Sequence, residues 1–345
     1  MAQTQHLAAA LLLAGSLPLT ASASMMDVNA MFVFGDSLLD GGNSGLATGG
    51  FPPPPYAGGR YSNGPTAVEQ LWTNLSPGSA LLPSLAGGTN FAIGGATTGQ
   101  VNYNAINPNV PAPLQPAFAD RGMAWQLGEF QNYVAANGPF DPSSTLFVIW
   151  AFPNDLFYNA ATGLLPGTVP FSPGGANVVE NAITNILTTI QLLSSVGGQH
   201  FLVANSADLG MTPELRGTPL QGAASFASAI FNENLAQQLT VLDSLLPGEI
   251  YQVDVAAIVA DAMANPAAYG FSNATDSCVA ALLTTGLCDP ASWLFWDGVH
   301  PTARAHSVLA AAFAAAIPEP STLALLGLSF LSMAAAGRRQ HQRAV

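Results

Sequence analysis

The sequence predicts an α/β fold, a parallel sheet covered by helices on both faces. Three observations carry this. Four short runs are apolar throughout, as strands buried on both faces are. A longer stretch repeats apolar residues at helical spacing. The two kinds of segment alternate along the chain, the pattern of strand–helix–strand units.

Met31–Phe34 is the first strand and runs straight into Gly35-Asp36-Ser37-Leu38. Gly49–Gly59 is a Pro/Gly loop, too short to be a linker between domains. Val101–Arg121, rich in Pro and Asn, reads as irregular. Leu146–Trp150 is the second strand. A helix follows, marked by Val178, Val179, Ala182, Ile183, Ile186, Leu187, Ile190 and Leu193. Phe201–Ala204 is the third strand, Ala223–Leu246 a helix with Asn-rich breaks, and Ile250–Val253 the fourth strand. No repeat or linker divides residues 27–316, which read as one domain. Sites in open parallel sheets form beyond the carboxyl ends of the strands. Ser37, Asp155 and Asp208 each follow a strand within a few residues, which lines polar groups along one edge.

Hydrophobic residues are 49% of the 345 and charged residues 8%, enough for a large core and too apolar for general disorder. The seven basic residues are all arginines, and the net charge is −13. With no basic run in the body of the chain, a phosphate backbone is repelled and nucleic-acid binding is excluded.

Both ends look like export signals. Residues 1–23 hold an apolar segment, Leu7–Leu19, then Ala21-Ser22-Ala23, an A-x-A cleavage pattern. A buried first helix is the alternative. At the other end, Pro318-Glu319-Pro320 precedes an uncharged apolar segment, Ser321–Gly337, then Arg338, Arg339 and Arg343. That segment is marginal for a bilayer, which takes about 17–25 residues, and the trailing arginines suit a cytoplasmic flank. The alternative is a last core helix. In an oxidising compartment Cys278 and Cys288 are expected to form a local disulfide; two free thiols are the alternative.

Histidine narrows the chemistry by elimination. His6 and His341 lie in the two ends, His200 opens a strand at the end away from the site, and His306 sits in a helical pattern with Ala310 and Phe313. His300 remains, in the turn-rich Asp297-Gly298-Val299-His300-Pro301. A serine hydroxyl needs a base to take its proton, and histidine serves when a carboxylate fixes its tautomer. Asp297 and His300, three apart, can bond within one turn. Ser37 alone reads better as a helix N-cap with Asp36 in the first turn, and the Asp-x-x-His pair shifts the balance. Acyl transfer also needs oxyanion donors. Gly94-Gly95 offers backbone N–H groups and Asn154 a side-chain amide; a plain turn and a helix N-cap are the respective alternatives. No G-x-S-x-G elbow, H-E-x-x-H or C-x-x-C is present, and no metal or organic cofactor is expected.

The chain resembles the GDSL lipase/esterases, or SGNH hydrolases, over about residues 31–302. Phe34–Asp40 is similar to their first block, which makes Ser37 the nucleophile. Asn90–Thr97 is similar to the second, whose glycine donates to the oxyanion hole: Gly95, with Gly94 as the alternative. Ile149–Leu156 resembles the third, with Asn154 as side-chain donor, and Phe295–Thr302 the fifth, with Asp297 and His300. Arg60–Gly64 and Phe231-Asn232 resemble segments of plant-type members. The resemblance implies a flavodoxin-like three-layer α/β/α sandwich and an exported serine esterase or lipase. Its substrate would be a small-molecule, lipid or polysaccharide ester. Acyl transfer, polysaccharide deacetylation or a non-catalytic surface role are the alternatives. One departure stands out: the third block usually reads Gly-x-Asn-Asp, and here reads Phe152-Pro153-Asn154-Asp155, which is expected to narrow the acyl pocket. The end of the chain, 317–345, resembles the PEP-CTERM sorting signal. That implies an exosortase-type processing partner and transient membrane anchoring.

Overall fold

The computed structural model describes residues 27–318. The expected signal segment 1–23 and the apolar tail segment 321–337 lie outside the described residues. Among the described residues no helix is long and apolar enough to cross a membrane.

Four parallel strands form the central sheet: β1 (Ala30–Gly35), β2 (Thr145–Trp150), β3 (His200–Ala204) and β4 (Glu249–Val253), in the order β1-β2-β3-β4. These are the four apolar runs, each extended by one or two residues. The outer edge of β1 is also bonded. Val33 N–H donates to Thr89 O at 3.0 Å, Phe91 N–H to Val33 O at 2.8 Å, and Ile93 N–H to Gly35 O at 3.3 Å. With residues 89–93 counted as a second strand in chain order, the spatial order is 2-1-3-4-5, that of the flavodoxin-like sheet. Two further strands, β5 (Asn273–Ser277) and β6 (Trp293–Phe295), pair parallel in a separate ribbon. Neither was expected, because Asn-Ala-Thr-Asp-Ser has no apolar run and β6 is three residues long.

Nine α-helices connect the strands among the described residues: α1 (Asn43–Thr48), α2 (Ala67–Leu75), α3 (Met123–Asn137), α4 (Pro153–Thr162), α5 (Val178–Ser195), α6 (Gln221–Asp243), α7 (Val255–Ala264), α8 (Cys278–Thr284) and α9 (Ala303–Ala316). Strand side chains alternate between faces. Phe32, Phe34, Phe147, Ile149, Phe201 and Val203 pack under α3, α5 and α6. Met31, Val33, Leu146, Val148, Leu202 and Tyr251 pack under α2, α7 and α9. The result is a three-layer α/β/α sandwich.

The Asn-rich breaks expected in the second long helix do not occur. Helix α6 is continuous, because Asn232 turns its amide outward and holds the backbone of Ser206, accepting at 2.9 Å and donating at 2.8 Å. Asp155 and Asp208 follow β2 and β3 along the edge where the strands' carboxyl ends lie, as expected. Asp155 is buried and holds Thr98, and Asp208 accepts from Gly210 N–H and Ser225 Oγ, so both brace loops.

Candidate active site

The site lies beyond the carboxyl ends of β1 and β2, flanking the point where the strand order reverses. Gly35 ends β1 so close to β2 that a Cβ there would sit 2.3 Å from Trp150 O. A turn then begins at Asp36, whose carbonyl accepts from Leu39 and Asp40 N–H. Gln126 of α3 pairs its amide with both polar atoms of Gly35, at 2.9 and 2.8 Å, and closes the strand end. Asp40 accepts from Gly42, Asn43, Ser44 and Gly94 N–H. Ser37 is thereby displayed on a frame whose backbone is fastened on both sides.

His300 reaches Ser37 from the other end of the chain. Its Nε2 lies 2.7 Å from Ser37 Oγ, and its Nδ1 lies 2.7 and 2.9 Å from Asp297 Oδ2 and Oδ1. The local reason is an Asx-type turn: Asp297 Oδ1 also accepts from Val299 and His300 N–H, at 2.9 and 2.8 Å. The loop is clamped by Trp296 N–H on His300 O at 2.7 Å and Thr302 N–H on Leu294 O at 2.9 Å. From the Arg60–Gly64 stretch, Ser62 Oγ donates to Pro301 O and Asn63 Oδ1 accepts from Ala303 N–H.

Electrostatics fit the pairing. Burial works against the charge on Asp297, but His300 and the hydrogen bonds outweigh it, and the carboxyl stays below its ordinary range. Burial likewise works against protonated His300. Asp297 outweighs it, with smaller help from Asp36 and Glu214, so the imidazole is more basic than usual. Asp36 is pushed by burial up to about 7, although Leu38 N–H, His300 and Asn154 pull it down.

Among the described residues no partner takes the Ser37 or Gly95 N–H. The Gly94 N–H is bonded to Asp40 and Ser44 Oγ, so of the two glycines Gly95 holds the open donor. Gly95 needs its lack of a side chain: φ is +80°, and a Cβ would sit 2.4 Å from Asn102 Oδ1. Asn154, in the first turn of α4, makes two long bonds, to Asp36 Oδ2 at 3.3 Å and Ala96 O at 3.2 Å.

Phe152 does not narrow the cavity. Its φ of +156° favours glycine, yet the side chain points into the core and stacks on Phe231, ring centres 3.7 Å apart. Pro153, not Phe152, lines the cavity of about 540 Å³ that also contains Ser37, Gly95, Asn154, Asp297 and His300. Cys278 and Cys288 form a disulfide, and the adjoining Val279 N–H donates to Trp296 O at 2.8 Å. His200 bonds Tyr251 at the far end of β3. His306 is buried, driven down to about 3, and its neutral Nδ1 accepts from Ala67 N–H. Among the described residues no group of three or more His, Cys, Asp or Glu could hold a metal ion.

Sequence reasoning missed Tyr56, Gln126 and Glu214. Tyr56 leaves the Pro-rich loop and donates to Asp297 Oδ2 at 2.8 Å. Burial, then Asp297, raises its phenol, which keeps it a donor. Glu214 N–H donates to Gly298 O, and the residue lines the cavity. No local signal marks any of the three.

A model of the GDSL-like lipase/acylhydrolase family matches residues 31–313. The chain belongs to that family. A model of the PEP-CTERM protein-sorting motif matches residues 316–340, which marks a GDSL hydrolase for export to the cell surface. A Pseudomonas putida protein of the trpE-trpG intergenic region is 29% identical, with 93% of this chain matched and 53% of that protein covered. The chain thus spans about half the length of that relative. An Arabidopsis thaliana GDSL esterase/lipase is 27% identical over 81% of this chain and 85% of its own. A phosphatidylcholine-sterol acyltransferase of Aeromonas hydrophila is 29% identical over 76% and 69%.

Proposed function

We propose that this GDSL hydrolase is an exported serine esterase whose catalytic body spans residues 27–316. The observation that carries the reading is the unbroken chain of hydrogen bonds from Asp297 through His300 to Ser37, with both outer links at 2.7 Å. Ser37 Oγ attacks the ester carbonyl carbon while its proton passes to His300 Nε2. The carbonyl oxygen becomes an oxyanion held by Ser37 N–H, Gly95 N–H and the Asn154 amide. The C–O bond to the alcohol then breaks, and the alcohol oxygen takes the proton from His300. Water repeats the sequence: its proton goes to His300, its oxygen to the acyl carbon, and Ser37 leaves with the proton. Asp297 holds the imidazole with Nε2 facing Ser37 and steadies the imidazolium. The Cys278–Cys288 disulfide supports an oxidising compartment, and an exosortase-type enzyme processes the tail, which anchors the chain transiently.

The test is turnover of p-nitrophenyl esters, with Ser37→Ala as control, and labelling by a fluorophosphonate. Wild-type turnover no greater than that of Ser37→Ala sinks the reading. Acyl transfer is the second reading, favoured by the likeness to the Aeromonas acyltransferase. Ester product formed on an added alcohol or sugar, faster than free acid, would establish it.

A further inference from the structure

The cavity over Ser37 has two unlike walls. One is apolar. Leu38, next to the nucleophile, packs with Ile258 and Val259 of α7 against the cluster under the sheet. Val259 also joins Val308 of α9 and the cluster containing Leu294 and Phe295 of β6. All six side chains line the cavity. Two further hydroxyls of the cavity lining are satisfied locally: Ser206 Oγ donates to Ala207 O at 2.9 Å and Thr212 Oγ1 to Leu209 O at 2.6 Å. A polar group placed on this wall would lose water and gain no partner.

The other wall carries polar groups, beside Val110, Pro111 and Phe51, whose ring lies 6.3 Å from that of Tyr61. The Tyr61 ring lies 5.1 Å from that of His300. Tyr61 Oη accepts from Asn104 Nδ2 at 2.8 Å, and Asn107 Nδ2 donates to Asn104 Oδ1 at 3.1 Å. Asn109 and Tyr103 continue this side of the cavity, and Asn109 is exposed.

We propose that the seam between α7, α9 and β6 is a subsite for an unbranched aliphatic acyl chain, and that the asparagine wall receives the alcohol. This rests on the esterase reading above. The acyl carbon is the atom that bonds to Ser37 Oγ, so its chain starts where Leu38 starts, against Ile258 and Val259. The leaving oxygen must reach His300 Nε2, and the groups around that ring lead through Tyr61 to Asn104 and Asn107. An acetyl group would leave the apolar seam unfilled, whereas a chain of about eight carbons buries methylenes along it.

The experiment is kcat/KM of the full chain on p-nitrophenyl acetate, butyrate, octanoate and palmitate. The expected profile rises from acetate to octanoate by up to about fourfold per methylene. Val308→Phe and, independently, Val259→Phe fill the seam and lower the octanoate-to-acetate ratio at least about tenfold. A ratio taken within one sample is insensitive to how much of a variant folds. Acetate turned over best, or a ratio unchanged in both variants, overturns the subsite and leaves the esterase reading standing. No Ser37-dependent turnover of any ester overturns both.

Discussion

The two halves of the site are built by different means. The half with the proposed nucleophile, Ser37 together with Gly95 and Asn154, stands at the ends of β1, β2 and the 89–93 segment, fixed by sheet bonds and by the buried side chains of Gln126 and Asp40. The half with the proposed base, Asp297 and His300, sits in a loop after a three-residue strand, in a two-stranded ribbon beside a disulfide. It is held by a local Asx-type turn and by outside help from Tyr56, Ser62 and Asn63. The proposed oxyanion donors thus share the sheet's rigidity, while the proposed proton carrier depends on many separate small contacts.

If the halves act as one unit, breaking either should cost nearly everything. Ser37→Ala and His300→Ala are each expected to lower kcat on p-nitrophenyl esters by about 10⁴-fold or more, and the double variant little further. Additive losses would show that the halves act independently. Next comes a donor from the rigid half. Asn154→Ala should lower kcat by about 10²–10³-fold, with KM nearly unchanged because the oxyanion exists only after attack. A loss confined to KM would contradict that role.

The base half is tested through its braces. Replacing Cys278 and Cys288 together by Ala should lower stability by about 3 kcal/mol in the chain-entropy account, measured by urea denaturation. Limited proteolysis should then cut first within residues 278–292; cuts first in the main sheet would show that the ribbon is not the weaker half. The smallest effect is expected at Tyr56. His300 must be neutral to accept a proton, and its basicity is raised, so kcat/KM should fall as pH drops through a value above 6.5. Tyr56→Phe removes a donor from Asp297, which then holds protonated His300 more tightly. The acid limb should move to higher pH, with a loss of only a few-fold at pH 8. An unmoved limb would make Tyr56 a packing residue.

The same contrast explains what could be read from the sequence. The four strands were legible because burial on both faces forces unbroken apolar runs. Ser37 and His300 were legible because few histidines exist and their blocks resemble a family. Asp155 and Asp208 were placed by the strands they follow, but position after a strand does not say which way a side chain turns. The β5–β6 ribbon was hidden because β5 has no apolar run and β6, although apolar and mostly buried, is three residues long. Tyr56 and Gln126 were hidden because they act across 241 and 91 residues, on backbone and carboxylate atoms that leave no periodic trace.

The bonding along the outer side of β1 has a further consequence. An edge strand with free N–H and C=O groups is a template on which another chain can grow a sheet. Here Thr89, Phe91, Ile93 and Gln126 occupy those groups along the strand that leads into Ser37. The segment that supplies Gly95 therefore also shields this apolar strand from edge-to-edge aggregation in an exported protein.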